Sequence, residues 1–374
     1  MSYRVELVTD RRGWRDFFAL PFVVYRNDPL WVPPLEVDER RTLDVSRNPY
    51  FRHASLRLFV CRQWGQPVAR IVLIVDERHQ SEGSPKTALF GLFECVQDDE
   101  AAAGVVEAML AECRAQNVDA VEGPFNPNHY SPVGVQTNRF DVGPAFFETY
   151  NPAYYPALFE RLGFTVSKVL HTWRNDGVAD YVRQRYGTVT VGGNGHFSTR
   201  QVDRRHTAAE LERLRSIFND AFANNWRFVP VSREEYRFSA KGLFHVTRPE
   251  LVTFVEYDGE PVGALLCVLD VNPLLRRLRG HIGPLSYLRF VHQRRQVRDL
   301  IVYAVGISRA YQSTPAYELL VRAMCATAMH CRSLSTSWIS DDNRPAIGAA
   351  ERLGLESYKD FAVYRKHVPE VCHA

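Results

Sequence analysis

A chain of 374 residues with 45% hydrophobic and 12% aromatic content is neither disordered nor fibrous, and it exceeds one ordinary core, so two packed domains are expected. Its formal net charge of +3 is weak evidence for a polyanion partner, and no apolar run reaches the ~18 to 20 residues that span a bilayer. With charges in Met1–Asp10 where a leader would be apolar, the expected location is the cytoplasm, with neither membrane nor DNA as partner.

Seven cysteines at positions 61, 95, 113, 267, 325, 331 and 372 are odd in number and scattered. Reduced thiols and no metal site are expected. In chain order, Leu56–Val60 and Val68–Val75 flank Gln63–Pro67, a hairpin pattern in which Gly65 supplies the positive φ of the turn. A strand is expected over Ala88–Cys95, a helix over Glu100–Gln116, a strand over Ala120–Gly123, and a helix that opens at Asn151 and closes at Gly163. The glycine-rich stretch Gly187–Gly195 reads as a linker. Beyond it come helix Ala208–Asn224, a second hairpin from Leu251–Glu256 and Val262–Leu269, strand Leu300–Ile307, helix Ala316–His330, strand Ser335–Ile339 and helix Arg344–Leu353 before Gly354.

Two short motifs recur in the same order. Glu160-Arg161-Leu162-Gly163-Phe164 returns as Glu351-Arg352-Leu353-Gly354-Leu355, 191 residues on, and Gly65-Gln66-Pro67-Val68-Ala69 returns as Gly259-Glu260-Pro261-Val262-Gly263, 194 residues on. Two unlike motifs at nearly one offset imply a tandem duplication, and the offset is too long for a solenoid. Each unit mixes hairpins with strand-helix-strand segments, so the fold class is α/β, with an α+β mixed sheet in each copy. The expected domains are 1–186 and 196–374, joined by 187–195.

This order, with a helix ending Leu-Gly-Phe or Leu-Gly-Leu, resembles the GNAT superfamily of N-acyltransferases, here as a tandem pair. Asp28-Pro29-Leu30-Trp31-Val32-Pro33-Pro34-Leu35, Asn48–Ala54, Asn225–Pro230 and Ser337–Asn343 are similar to a bacterial subfamily of two-domain GNAT proteins. The resemblance implies amide formation by acyl or aminoacyl transfer to a small-molecule amine, as in specialised metabolite biosynthesis. It places the donor along Val305, Gly306 and Ile307 and a loop at Gln312, Ser313 and Thr314, with Asn343 nearby. That loop departs from the family, because Pro315 removes a donor N–H and Tyr317 is bulky where glycine normally lets the backbone approach a pyrophosphate. In the first unit Val96-Gln97-Asp98-Asp99-Glu100 puts acid at the matching helix start, which repels phosphate. That unit is expected to be structural or to shape the acceptor site. No cofactor is firmly implied; a coenzyme A thioester fits as co-substrate, and the altered loop slightly favours aminoacyl-tRNA or a carrier-protein thioester.

A general acid is also missing, since the family's tyrosine position is held by Phe159 and Ala350. For the base, Asp341 is the first candidate; Asp342 divides between base and helix cap, and Glu256 ends a strand where an exposed carboxylate is ordinary. Glu94 stands between Phe93 and Cys95 in an apolar strand, where a buried carboxylate needs a partner or a raised pKa. Asn225, Trp226 and Phe228 are candidates for an acceptor wall, with Trp226 equally suited to anchoring a core, and Asn128 and His129 lie in a polar, aromatic loop. Arg276, Arg277, Arg279, Arg294 and Arg295 form clusters that would suit an RNA acceptor stem; the leucines interleaved with them fit an amphipathic surface equally well. A copy that has lost catalysis and only binds is the remaining alternative.

Overall fold

The computed structural model describes residues 3–79, 85–126, 131–189, 192–193 and 195–369. The chain divides into two compact units, Met1–Leu170 with Leu275–His281 and Lys359–Ala374, and His171–Leu274 with Ile282–Tyr358. The chain crosses between them at 170/171, 274/275, 281/282 and 358/359. The first and last of these fall within long strands that begin in one unit and end in the other.

The first unit runs β1 (Tyr3–Leu7), α1 (Arg11–Val24), α2 (Glu36–Leu43), β2 (Ala54–Gln63), β3 (Gln66–Asp76), β4 (Thr87–Cys95), α3 (Asp99–Ala115), β5 (Ala120–Gly123), β6 (Val135–Gln136) and α4 (Tyr155–Arg161). Its strands lie in the order β1-β2-β3-β4-β5, antiparallel except for the parallel β4–β5 pair. Gly65 takes the left-handed conformation that the β2–β3 turn requires, at φ 79°. The core fills with Val105, Met109 and Phe159 from the helices against Phe59, Ile71 and Phe90 from the strands. Asn151, expected to open α4, instead pins β6: its Oδ1 accepts from the Gln136 amide at 2.7 Å. The helix starts at Tyr155, and Gly163 closes it at φ 76°.

The strand β7 (Thr165–Asn175) leads into the second unit, and the chain runs on through α5 (Val178–Tyr186), β8 (Phe197–Gln201), α6 (Thr207–Ala221), α7 (Arg233–Leu243), β9 (Val252–Tyr257), β10 (Glu260–Leu269), α8 (Asn272–Leu278), α9 (Pro284–Gln293), β11 (Asp299–Ile307), α10 (Ala316–Ala328), β12 (Ser333–Thr336), β13 (Ile339–Ser340), α11 (Arg344–Arg352) and β14 (Glu356–His367), with α8 from Leu275 onward belonging to the first unit. The strand order β12-β11-β10-β9-β8 repeats that of the first unit, with β11–β12 the parallel pair. The last strand returns to the first unit, where Tyr364 and His367 pair with Gly123 and Ala120 of β5.

The repeated Glu-Arg-Leu-Gly motif does the same work twice. Arg161 reaches back to Asp99 in the first turn of α3, at 2.7 and 2.8 Å, and Arg352 reaches Glu318 in the first turn of α10, at 3.2 Å. The glycine two residues later ends each helix in the left-handed conformation. Both ion pairs are exposed, so they orient the helix ends more than they stabilise them.

Candidate active site

In the second unit β11 and β12 run together only from Asp299↔Ser333 to Val302↔Thr336. Ser337 closes the pairing, its amide donating to the Val302 carbonyl and its hydroxyl to the Tyr303 carbonyl, each at 2.9 Å. A register shift opposite Leu266 and Cys267 places Tyr303 as the extra residue of a bulge, which turns the strand away from its parallel neighbour. Beyond it Val305, Gly306 and Ile307 pair with β10 alone among the described residues. Tyr303, Ala304 and Val305 are half-buried. The result is a splayed cleft with a strand edge along one side.

The packing of α6 on β11 is apolar. At Gly306 a Cβ would come within 2.8 Å of the Ala221 Cβ and 3.3 Å of the Phe218 ring, so glycine is what lets α6 lie on the strand. Phe222 stacks on Phe218 at 5.4 Å, with Phe228 edge-on to Phe222 at 6.2 Å. Partly buried Phe222, Tyr236, Leu243, Tyr303 and Ala304 pack against a core of Leu214, Ile217, Phe218, Val252, Phe254, Ala264 and Leu266.

The loop beyond β11 folds onto itself. Gln312 Nε2 donates to the Ile307 carbonyl at 3.3 Å, and the Thr314 hydroxyl donates to the Tyr311 carbonyl at 2.6 Å. At the start of α10 the Ala316 amide donates to Thr314 Oγ1 and the Tyr317 amide to the Thr314 carbonyl. Pro315 has no N–H, and Glu318 puts a carboxylate in the first turn. The donors that would bind a pyrophosphate are largely spent. Ser313 stays exposed.

The first unit closes the corresponding edge. Its parallel pairing ends at Leu89↔Glu122. After that the Phe90 carbonyl accepts from the Phe125 amide at 2.7 Å and the Leu92 amide donates to Asn126 Oδ1 at 2.6 Å. At the strand's end the Cys95 carbonyl accepts from the Tyr154 hydroxyl at 2.7 Å and the Cys95 amide donates to the Tyr155 hydroxyl at 2.8 Å. A Cβ on Gly91 would sit 1.8 Å from the Phe125 carbonyl oxygen, so the segment after β5 is seated directly on β4. Segment 125–126 and two tyrosines occupy the groups that an inserted donor arm would need. Reading the sequence did not single out Phe125, Asn126, Tyr154 or Tyr155 in these roles.

Glu94, whose position in an apolar strand demanded an explanation, has both a partner and a shifted pKa. It accepts from the Tyr155 hydroxyl at 2.8 Å and sits opposite Arg70 in the β3–β4 register. Burial pushes its pKa up to about 7, against the opposing pull of Arg70, Tyr155 and Tyr25. Burial likewise raises Glu39, which lies 3.8 Å from Arg70. These acids brace α1, α2 and α4 around β4.

The remaining candidate residues are dispersed. Asp341 and Asp342 are exposed between β13 and α11, and the Ser340 hydroxyl donates to both carboxylates. The helix cap falls to Asn343, whose Oδ1 accepts from the Ala346 amide at 3.3 Å. Glu256 is held by Arg200, which also bonds Glu210 at 2.8 Å; that network ties β8 to α6 and β9. Asn225 is exposed, and its carbonyl accepts from the Phe228 amide at 3.1 Å, while Trp226 and Phe228 are half-buried. Asn128 and His129 lie outside the described residues.

Among the arginines, Arg277, Arg279 and Arg295 are exposed. Arg276 turns inward toward Gly143 and Tyr150, and Arg294 donates to the carbonyls of Phe244 and His245. No group of three metal-binding side chains occurs among the described residues, and the six described cysteines are buried and unpaired.

No protein-family model matches the chain. It is 26% identical to Protein YghO of Escherichia coli over 98% of its own length and 97% of that protein's. It is 27% identical to Bacterial ceramide synthase of Caulobacter vibrioides, over 94% of each. Among solved structures, a tandem GNAT protein from the clavulanic acid biosynthesis pathway superposes with a TM-score of 0.58 at 14% identity, covering 98% of this chain and 99% of that one. A GCN5-related N-acetyltransferase from Sphaerobacter thermophilus gives 0.53 at 9% identity, covering 98% and 96%. The chain has the tandem GNAT fold.

Proposed function

We propose that this tandem GNAT chain is an N-acyltransferase that holds a long-chain acyl thioester along β11 and joins the acyl group to the amine of a long-chain amino alcohol. The observation that carries this reading is the contrast between the open β11 edge and the closed β4 edge. In the reaction the amine nitrogen attacks the thioester carbonyl, the C–N bond forms as the C–S bond breaks, the amine proton passes to a base and the sulfur leaves as thiolate. A thiol's pKa of about 8.5 lets it leave without a general acid, which suits a chain with Ala350 at the family's tyrosine position. Asp341, exposed where β13 ends, is the base assigned to the amine proton, with Asp342 beside it.

The substrate class draws on two supports. One is the half-buried Phe222, Tyr236, Leu243 and Tyr303, which extend the apolar core of the second unit toward its surface and offer contact to alkyl chains rather than to a polar acceptor. The other is the relative named as a ceramide synthase, a ceramide being the amide of a fatty acid and a long-chain amino alcohol. Because the α10 start has few free donors, the acyl and pantetheine portions should supply most of the binding, whether the thiol belongs to coenzyme A or a carrier protein. The solved structures share the fold alone, so a specialised-metabolite acceptor gains no support from them. The aminoacyl-tRNA reading keeps only the exposed Arg277, Arg279 and Arg295 in its favour.

The test is to incubate purified chain with sphinganine and palmitoyl thioesters of coenzyme A or acyl carrier protein, and with acetyl-coenzyme A, and to identify amides by mass spectrometry. The expected product is the palmitoyl amide. Ala346→Tyr, which places a phenol where Tyr155 stands in the first unit, should lower turnover ~100-fold by displacing the donor, with the melting temperature retained. Only acetylated amine, or aminoacylation from charged tRNA, would overturn the proposal.

A further inference from the structure

The link between the third and fourth strands of the repeat differs between copies: residues 77–86 in the first unit, residues 270–298 in the second. The first unit builds the same sheet order with the shorter link, so the fold itself does not require α9. The helix is attached at few points. Phe290 is 6% exposed, the Tyr287 ring meets His245 edge-on at 6.0 Å, and Arg294 holds the carbonyls at the end of α7. Arg248 in turn donates to the Arg294 and Arg295 carbonyls at 2.8 and 3.1 Å.

Its other face is unusual for a surface helix. At about 100° per residue, Leu285, Leu288, Arg289 and His292 fall on one arc away from Phe290. Leu285 is 82% exposed and Leu288 64%, with Phe244 at 47% on the end of α7 that Arg294 grips. From His281 to Arg298 the sequence has no aspartate or glutamate, and Arg289, His292 and Arg295 are exposed.

We propose that α9 docks the second unit onto an anionic lipid surface, with Leu285 and Leu288 entering the headgroup boundary and Arg289 and Arg295 meeting lipid phosphates. Apolar side chains ringed by cations, with no nearby acid in the segment, match the chemistry of such a surface. A symmetric dimer through this face would oppose two arginine-rich patches, and a nucleic-acid backbone would leave the exposed leucines without an apolar partner. Peripheral docking needs no spanning helix, and no described helix is long and apolar enough to span. The inference stands on this helix alone and does not depend on the acyl-transfer reading.

The experiment is co-sedimentation of the full chain with vesicles of equal parts phosphatidylglycerol and phosphatidylethanolamine, against vesicles of phosphatidylcholine alone. The chain should bind the anionic vesicles, more weakly as salt is added. Leu285→Asp with Leu288→Asp should reduce affinity ~100-fold, and Arg289→Glu with Arg295→Glu at least ~25-fold, both with unchanged circular dichroism. Failure of the wild type to sediment, equal binding to phosphatidylcholine, or leucine variants that bind as well as wild type would each overturn the proposal. So would a wild-type dimer that these leucine substitutions convert to monomer without vesicles.

Discussion

Tyr154 and Tyr155 in the first unit correspond, at the 191-residue offset of the repeat, to Pro345 and Ala346 in the second. Both pairs lie at the start of the helix that ends in Glu-Arg-Leu-Gly, α4 or α11. In the first unit the two hydroxyls bond both backbone groups of Cys95 and seal the end of β4; proline and alanine have no hydroxyl to do the same for β11. The difference teaches that two copies of one fold can treat the same strand end differently, sealed by two hydroxyls in the first and without them in the second. The closed copy also spends a buried carboxylate on the seal, because Tyr155 bonds Glu94 as well.

The largest expected effect comes from the seated segment. Gly91→Ala should cost at least ~3 kcal/mol, since its Cβ would strike the Phe125 carbonyl, whereas Gly306→Ala meets a methyl group at 2.8 Å and should cost about 1 kcal/mol. Urea unfolding of the two variants checks this, and equal losses would mean that the Phe125 segment yields to an added Cβ as readily as α6 does.

The next effect depends on pH. Because burial raises the Glu94 pKa to about 7 from an ordinary value near 4.5, the folded protein binds the extra proton between those pH values. The stability linked to that proton is fully present below about pH 4.5 and lost as pH rises through about 7. Glu94→Gln should therefore gain about 2 to 3 kcal/mol relative to wild type between pH 5 and pH 8. A difference that is flat with pH in paired denaturation curves would rule out the buried acid.

Tyr155→Phe should follow, at about 1 to 2 kcal/mol, because it leaves the Cys95 amide without its partner. Acyl transfer should be unchanged in this variant, since the sealed edge has no donor to hold. Smallest of all, Arg161→Ala and Arg352→Ala should each cost under ~0.5 kcal/mol, their ion pairs being half exposed. A large loss in either would give the repeated motif an energetic role that its geometry does not supply.

Much of this is legible in the sequence. The offset between motifs disclosed the duplication, Gly65 and Gly259 marked both turns, and Gly163 and Gly354 both helix ends, because each requires a backbone conformation that glycine adopts easily. Pro315 signalled a helix start with fewer donors, and Glu94 signalled a buried acid. The strand exchange was not legible: β7 and β14 have local patterns like any other strand, and which unit receives their ends depends on distant pairing. Nor could Asn151 be assigned, because the same side chain suits a helix cap or a β6 amide. The Tyr-Tyr to Pro-Ala change was in plain view, but its meaning needs the end of β4 beside the helix. The carboxylates that stood out by sequence position, Asp341 and Glu256, separate in space into an exposed loop and an arginine network.

Amide hydrogen exchange with and without palmitoyl-coenzyme A tests the division of labour most directly. The account predicts slower exchange in a peptide spanning Tyr303–Ile307 and no change in one spanning Phe90–Cys95. Protection of Phe90–Cys95, or of neither peptide under conditions that support turnover, would contradict it.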